Sequence, residues 1–566
     1  MEPLTQSPLQ RPDYFNFATD VVDTWAAKSP TLQAMLWVSH DKATQKSLTY
    51  QHFSQQSQRI ALLLDQLGAR PGEVMLIVLP RVPAWWEVAT AGLRSGIIIA
   101  PATTLLTAKD IEYRCQKSGA TVFVGDTTSV RKVLQVRDRC PSLRVIIQAE
   151  GELEAGVTDL YNALQRIETT ARYCSVQRPW NSPAIIYIIS GTSGLPKMVR
   201  HNQVSYPLAH LFTGKYWLSL SPGKLCWNYT EQGWGKAAYS YFGAWNCGAS
   251  SFVWDDRGPF SATTILGHLH NFPITTLCAP PLAWRQLILH QCQQFYRKNA
   301  PRALEQCNSA GEPLDSTVID QWRNLSGLTI CEGYGQTETT LMCGNYGGFQ
   351  VRPGSMGKPI PGVPLYVINL AGEETAENEE GELALLVADG DSPSNFFGIF
   401  DGYVRGNGEA TRNDRISTLH GRTRKWYPTG DKAKRDKDGY LWFVGRADDV
   451  INSSGYRIGP FEVESTLKQH PAVAECAVIS SPDVVRGEVV KAFIVLTSKY
   501  ANAPRAQLTK ELQTFCKSNS APYKYPRKVA FVNQEFLPRT TSGKIKRAEL
   551  RKLEWQNSKS GNLPKL

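Results

Sequence analysis

"VMLIVLPRVPAWWEVATAGLRSGIIIAP", residues 74–101, reads as a strand, a helix and a second strand. Val74 to Pro80 and Ile97 to Pro101 are short apolar runs rich in β-branched residues, and Trp85 to Gly96 between them carries a helical pattern. TVFVGD at 121–126 and LRVIIQ at 143–148 repeat the strand signal. Strands spaced by helices imply largely parallel sheets with crossover connections, so the large part of the chain is expected to be α/β.

Further along the pattern changes. AGEETAENEEGE, 371–382, is polar, is punctuated by Gly372 and Gly381, and reads as an exposed hairpin or loop. From GRADDVINSSGYRIGP onward the chain predicts a helix in FEVESTLKQH and strands in AECAVISSP and KAFIVL. This reads as a small α+β domain of about 120 residues, joined to the rest by one crossing of the chain that permits rotation. The expected division is a large N-terminal domain, 1–445, and a small C-terminal domain, 446–566.

At 566 residues, with 42% hydrophobic and 20% charged residues, the chain has an ordinary globular composition. A net charge of +11 is a mild excess over this length and suits a protein that handles phosphorylated ligands. No zinc finger, basic zipper or other nucleic-acid-reading motif is present, so no nucleic-acid partner is expected. Twelve cysteines occur without a CxxC, which points to scattered buried thiols rather than a metal or redox site. The start, MEPLTQSPLQRPDYFNF, lacks a secretory apolar core, and no apolar run reaches membrane-spanning length. A cytoplasmic protein with no membrane span is expected. Pro564-Lys565-Leu566 echoes the S-K-L peroxisomal address with proline in place of serine, which makes the peroxisome the alternative.

Four short stretches carry chemistry. In IISGTSGLPKM, a strand runs into Ser190, Gly191, Thr192, Ser193 and Gly194, and Lys197 follows. Unshielded backbone N–H groups, hydroxyls and one cation suit a cluster of anionic oxygens. The stretch is not a P-loop, because Pro196 and Met198 flank the lysine. In CEGYGQTETT, 331–340, Glu338 could hold Mg²⁺, a hard ion that takes one or two carboxylates together with phosphate oxygens; a Tyr-Gly turn with a solvated glutamate is the plainer alternative. In WYPTGDKAKRDKDGYLWFVGRADD, 426–449, Asp431 could accept ribose hydroxyls or simply belong to a turn, and Arg446 follows a strand. LPRTTSGKIKR, 537–547, is a basic glycine turn or a solvated tail.

Together, in this order and at these separations, the four stretches resemble the adenylate-forming superfamily of acyl-CoA synthetases, adenylation domains and luciferases. The resemblance runs from about residue 20 to 555 and is closest to the medium-chain acyl-CoA synthetases, as in SGTSGLPKM, YGQTET, GRADDVINSSGYRIGP, RGEVVKAF and APYKYPRK. It implies ATP and CoA as co-substrates and Mg²⁺ as cofactor. By that resemblance, Ser190 to Gly194 with Lys197 form a phosphate loop. Gly311, Glu312 and Pro313 lie against adenine, Tyr334 stacks on it, and Glu332, Gly333, Gly335 and Gln336 complete the ATP site. Thr337 contacts the α-phosphate, and Glu338 binds the metal. Asp431 and Arg446 hold the ribose, Asp448 is the hinge, and Lys544 is the catalytic lysine of adenylation. Ser454, Gly455, Tyr456, Arg457 and Arg486 match positions that meet CoA. Family members often carry threonine where Ile189 stands, so this loop lacks one hydroxyl at its base.

The resemblance implies a two-step reaction in which a carboxylic acid becomes an acyl adenylate and is then passed to CoA, with AMP and pyrophosphate released. The segment WNYTEQGWGKAAYSYFGAWNCG, 227–248, matches the lining of an acyl pocket, with Trp234 as the expected contact; its other aromatic residues read equally as core. Lys236 departs from the apolar residues expected beside that tryptophan and, if it faces the pocket, favours a short tunnel or a polar acid. Medium-chain fatty acids are the first expectation, followed by benzoate-like acids. The rivals are an enzyme that loads a separate carrier protein, a monooxygenase of the luciferase kind and a non-catalytic relative; the last predicts loss of Lys544, Glu338 or Asp431, all of which are present.

Overall fold

The computed structural model describes residues 10–175, 177–189, 197–404, 410–411, 417–418, 423–447, 449, 451–453, 456–483, 486–520, 522–540 and 543–560. The 74–101 unit forms as expected: strand Val74–Val78, helix Pro83–Ser95 and strand Ile98–Pro101, the strands parallel with Val74 opposite Ile98 and Ile77 opposite Pro101. Pro83 starts the helix, where its missing N–H costs nothing. Gly96 ends it in the left-handed conformation at φ +73, and Ile97 N–H donates to the Gly92 carbonyl at 2.8 Å. Gly92 lets the helix lie close on its sheet, since a Cβ there would sit 2.7 Å from both Ile99 and Met75.

That unit sits in a nine-stranded sheet. Its strands run in the order Ala410–Thr411, Gly402–Val404, Lys197–Asn202, Pro183–Ile189, Ile98–Pro101, Val74–Val78, Val122–Asp126, Val145–Glu150 and Thr158–Asp159. The strands expected at 121–126 and 143–148 are present and parallel to their neighbours. Pro183–Ile189 and Lys197–Asn202 are antiparallel, Ile189 opposite Lys197, so the phosphate-like motif connects two paired strands.

A second nine-stranded sheet includes Ile330–Gly335, Gln306–Ala310, Thr276–Ala279, Leu225–Asn228, Ser250–Trp254 and Gln33–Val38, adjacent in that order and all parallel. On one face, Trp227, Leu277, Cys307 and Ile330 pack against Leu266, Trp284 and Trp322 of the covering helices. Helix Pro83–Ser95 is buried at every position from Ala84 to Ser95. Thr90 meets the Tyr241 hydroxyl at 2.8 Å, and Arg94 is neutralised by a two-pronged pair with Asp23 at 2.7 and 2.8 Å.

The chain divides into two compact units: residues 1–314, 318–364 and 391–416 form one, and 315–317, 365–390 and 417–566 the other. The polar stretch 371–382 connects antiparallel strands Leu365–Ile368 and Glu380–Asp389, and so forms the expected hairpin. Glu380–Asp389 pairs in turn with Arg424–Arg435, and that strand with Leu441–Arg446. A second sheet in this unit is built around the antiparallel pair Val473–Asp483 and Gly487–Leu496. Alternate residues of these strands face opposite ways. Cys476 and Val478 pack with Val463, Leu467, Leu508 and Leu512, while Ala477 and Ile479 pack with Leu537 and Leu550. Among the described residues no helix is long and apolar enough to cross a membrane. All the cysteines are free thiols, and all but Cys174 are buried.

Candidate active site

Ligands of α/β proteins bind outside the carboxyl ends of parallel strands. In the first unit, Asn228, Ala310 and Gly335 end three strands of one sheet, which gathers the 311–313 turn and the 331–340 stretch at that edge. Gly333 and Gly335 make the stretch compact: a Cβ on Gly333 would lie 2.6 Å from the Trp217 ring, and one on Gly335 2.4 Å from the Thr340 carbonyl. Tyr334 is half-buried at the end of this strand. Gln336 N–H donates to Thr339 Oγ1 at 3.1 Å, and Gln336 carbonyl accepts from Thr339 N–H at 3.2 Å, which closes the turn that presents Thr337 and Glu338.

Three groups brace this stretch. Glu332, 8% exposed, accepts Leu314 N–H at 2.8 Å and Gly354 N–H at 3.3 Å, tying the stretch to the turn that contains Gly311, Glu312 and Pro313. Glu312 itself faces Arg285 at 3.7 Å. His201 Nε2 lies 2.7 Å from the Thr337 carbonyl. Tyr403 donates its phenol proton to Glu338 Oε1 at 2.6 Å. The Lys197 ammonium stands over the Tyr403 ring, 5.1 Å from its centre. Strand Gly402–Val404 brings this tyrosine in by pairing Tyr403 with Val199. Lys197 and Glu338 therefore meet the same residue. Sequence reasoning passed over His201 and Tyr403, because neither carries a local signal; only strand pairing gives them a place.

A single half-buried carboxylate on Glu338 fits a magnesium ion whose other oxygens come from phosphate. No cluster of three or more His, Cys, Asp or Glu among the described residues could serve as a protein-only metal cage. Trp234 is half-buried just before the turn Gly235–Ala237, and a Cβ on Gly235 would lie 3.4 Å from the Thr337 side chain. Tyr241, Phe242 and Trp245 are instead core, packed on Phe17 with centres 5.2, 4.9 and 6.5 Å away. Ser190, Gly191, Thr192, Ser193 and Gly194 lie outside the described residues.

In the second unit Asp431 and Arg446 are direct cross-strand partners, with Arg446 Nη1 3.3 Å from Asp431 Oδ1. Lys544 is exposed on a turn: its N–H donates to Thr540 Oγ1 at 3.1 Å, its carbonyl accepts Thr540 N–H at 2.8 Å, and Gly543 takes φ +85. Strands Ile451–Ser453 and Tyr456–Ile458 are antiparallel, and Ser453 pairs with Gly487. The strand that carries Tyr456 and Arg457 thus shares a sheet with the strand that begins at Gly487, just after the turn residue Arg486, whose N–H donates to Asp483 Oδ1 at 2.9 Å. Asp448, Ser454 and Gly455 lie outside the described residues. Next to that hinge position, Asp449 accepts from Arg551 at 2.9 Å.

Comparison with known proteins gives the family. The AMP-binding enzyme model matches residues 22–390, and the AMP-binding enzyme C-terminal domain model matches 462–544. The chain is 41% identical over 552 residues to the acyl-coenzyme A synthetase ACSM3, mitochondrial, of Homo sapiens, covering 96% of this chain and 90% of that protein. It is 42% identical over 551 residues to ACSM4, mitochondrial, of Rattus norvegicus, covering 96% and 91%. The crystal structure of the anthranilate CoA ligase AuaEII with anthranoyl-AMP superposes with a TM-score of 0.80 at 27% identity, covering 97% of this chain and 99% of that one. The chain belongs to the AMP-binding enzyme family.

Proposed function

We propose that the protein is an AMP-forming acid–thiol ligase that uses ATP to activate a carboxylic acid and transfers the acyl group to CoA. The observation that carries the reading is the meeting of Lys197 and Glu338 on Tyr403, which sets a cation and a carboxylate beside Thr337. Identity of 41% across nearly the whole chain supports it.

In the first step a substrate carboxylate oxygen bonds to the α-phosphorus of ATP, and the bond to the β-phosphate oxygen breaks to release pyrophosphate. Both reactants are anionic, so the residues must offset repulsion. Ser190, Gly191, Thr192, Ser193, Gly194 and Lys197 bind the phosphates, and Thr337 orients the α-phosphate. Gly311, Glu312, Pro313 and Tyr334 take the adenine, with Glu332, Gly333, Gly335 and Gln336 around them. Asp431 and Arg446 take the ribose, and Lys544 stabilises the developing charge. Glu338 would hold Mg²⁺, which when bound neutralises phosphate charge. In the second step the CoA sulfur bonds to the acyl carbonyl carbon, the thiol proton leaves, and AMP departs. Ser454, Gly455, Tyr456, Arg457 and Arg486 receive CoA after rotation about Asp448, with the functional boundary between 445 and 446.

The acid is medium-chain or benzoate-like by resemblance, and Trp234 contacts it. The anthranilate CoA ligase supports the aromatic alternative. The relatives bear "mitochondrial" in their names, and fractionation of the tagged protein reads the compartment of this one. The test of function is AMP release from ATP with acids from acetate to palmitate and benzoate, with and without CoA. Equal AMP and thioester, both requiring CoA, is the expected result. Pyrophosphate release without thioester would transfer the acyl group to a carrier protein instead.

A further inference from the structure

Asn228 and Asn308 are register partners of Cys278 on the strands to either side of it, so the three form a row across one face of the second sheet. The row lies against the turn that carries Trp234. Asn228 Nδ2 donates to the Lys236 carbonyl at 2.7 Å, and the Lys236 ammonium donates to the carbonyl of Ala310, two residues beyond Asn308, at 3.2 Å. Between Trp234 and Lys236, a Cβ on Gly235 would stand 3.4 Å from the Thr337 side chain. The row therefore adjoins the turn expected to touch the acid, next to the reacting end of the site.

Both amides have a fixed orientation. Asn228 Nδ2 is bound to a carbonyl, and Asn308 Nδ2 donates to the Trp217 carbonyl at 2.9 Å, so turning either amide over would set oxygen against oxygen. Each Oδ1 is an acceptor. Asn228 is 7% exposed and Asn308 fully buried, yet neither Oδ1 has a hydrogen-bond partner among the described residues. Buried acceptors are ordinarily met, and what meets these must bring an N–H or an O–H. A hydrocarbon tail or a carboxylate laid against the row brings neither and shuts water out. A site that hydrogen-bonds a substrate donor rejects the analogue lacking it, because its own polar groups are then left unpaired. The Lys236 charge reaches the row as well: burial pushes the Cys278 thiol up to about 12, and the ammonium opposes that rise. A second cation there would be repelled, so the donor is neutral.

We propose that Asn228 and Asn308 are specificity-determining residues that receive a neutral hydrogen-bond donor on the acyl part of the substrate, a hydroxyl or an aromatic amine. This deepens the ligase reading and rests on it. The experiment measures kcat/KM for CoA thioester formation in the wild type, Asn308→Leu and Asn228→Leu. The acids are benzoate with its ortho, meta and para hydroxy and amino derivatives, and hexanoate with its monohydroxy derivatives. In the wild type at least one derivative should exceed its parent tenfold or more, and whether it carries a hydroxyl or an amine names the donor. In at least one leucine variant that ratio should fall below threefold. A wild type in which no derivative exceeds its parent tenfold overturns the assignment without any variant. So does a ratio that stays above threefold in both variants, or in Asn308→Ala and Asn228→Ala should the leucine variants fail to fold. Absence of thioester from every acid, including the panel from acetate to palmitate, overturns the ligase reading, a different failure from a working ligase that ignores the donor.

Discussion

His201 Nε2 stands 2.7 Å from the Thr337 carbonyl oxygen, while Nδ1 stands 2.9 Å from Ser205 Oγ. The ring is fully buried, and burial pulls its pKa down to about 3, so it is neutral at physiological pH. A neutral ring that donates from Nε2 accepts the Ser205 proton at Nδ1, which fixes tautomer and orientation. The histidine is a positioning residue for the turn that presents Thr337 and Glu338. His201→Ala should cost about 1–3 kcal/mol of stability through the unmet carbonyl and cut the adenylation step about tenfold. The check is pyrophosphate exchange into ATP beside thermal unfolding; lost stability with full exchange would confine His201 to the fold.

Buried neutral histidines also set a pH dependence. Burial lowers His201 to about 3, His268 to about 4 and His210 well below its usual value. Unfolded, each takes a proton near 6.5, so the unfolded state binds more protons in acid. Their contribution to stability is full above pH 6.5 and is lost as pH falls toward 3–4. His268 packs among Trp227, Phe252, Trp254 and Phe272, and its buried Nε2 has no hydrogen-bond partner among the described residues. His268→Phe should therefore gain about 2 kcal/mol relative to wild type at pH 5 over what it shows at pH 8. Urea unfolding at the two pH values measures it, and equal differences would remove His268 from the acid response.

The 74–101 unit is legible because its strands are short apolar runs and its helix opens on Pro83 and closes on Gly96, all local signals. The 371–382 hairpin is legible for the same reason. Long-range pairing is not: Glu380–Asp389 joins Arg424–Arg435 across an intervening segment, so residues 365–390 fall into the second compact unit. Hydrophobic periodicity carries no information about that partner. In the 227–248 segment, pocket and core use the same aromatic residues, and Tyr241 and Trp245 declare themselves core only through Phe17 and Tyr50, far away in the chain. Lys236 was legible as a departure, but its acceptor at Ala310 was not.

Tyr403→Phe separates orientation from packing. The phenyl ring can keep its contact with Phe400, 5.1 Å between centres, and its place beneath Lys197, while the 2.6 Å hydrogen bond to Glu338 is lost. Stability should change by no more than about 1 kcal/mol for a half-buried pair. With the carboxylate no longer held in one orientation, the Mg²⁺ concentration for half-maximal pyrophosphate exchange should rise about threefold or more at fixed ATP. Binding of Mn²⁺ followed by water relaxation gives a readout independent of turnover. An unchanged metal requirement in both would separate Glu338 from the ion.

Lys544 projects from a turn closed by Thr540 and Gly543, and Arg539 Nη1 donates to the Gly543 carbonyl at 2.9 Å to brace it. These bonds use backbone groups and the Thr540 hydroxyl, so truncating an exposed lysine leaves the turn intact. Lys544→Ala should fold like the wild type, with a change in stability within about 0.5 kcal/mol. If the ammonium acts on the charge that develops at the α-phosphate, its loss removes transition-state stabilisation in adenylation alone, and adenylate formation should fall at least about a hundredfold. Thioester formation from a supplied acyl adenylate and CoA needs no such charge and should stay within about threefold of wild type. Single-turnover assays of the two half-reactions decide. Equal loss in both would show that the lysine serves a step they share, such as binding the adenylate, and would end the division of labour between Lys544 and the 454–457 loop.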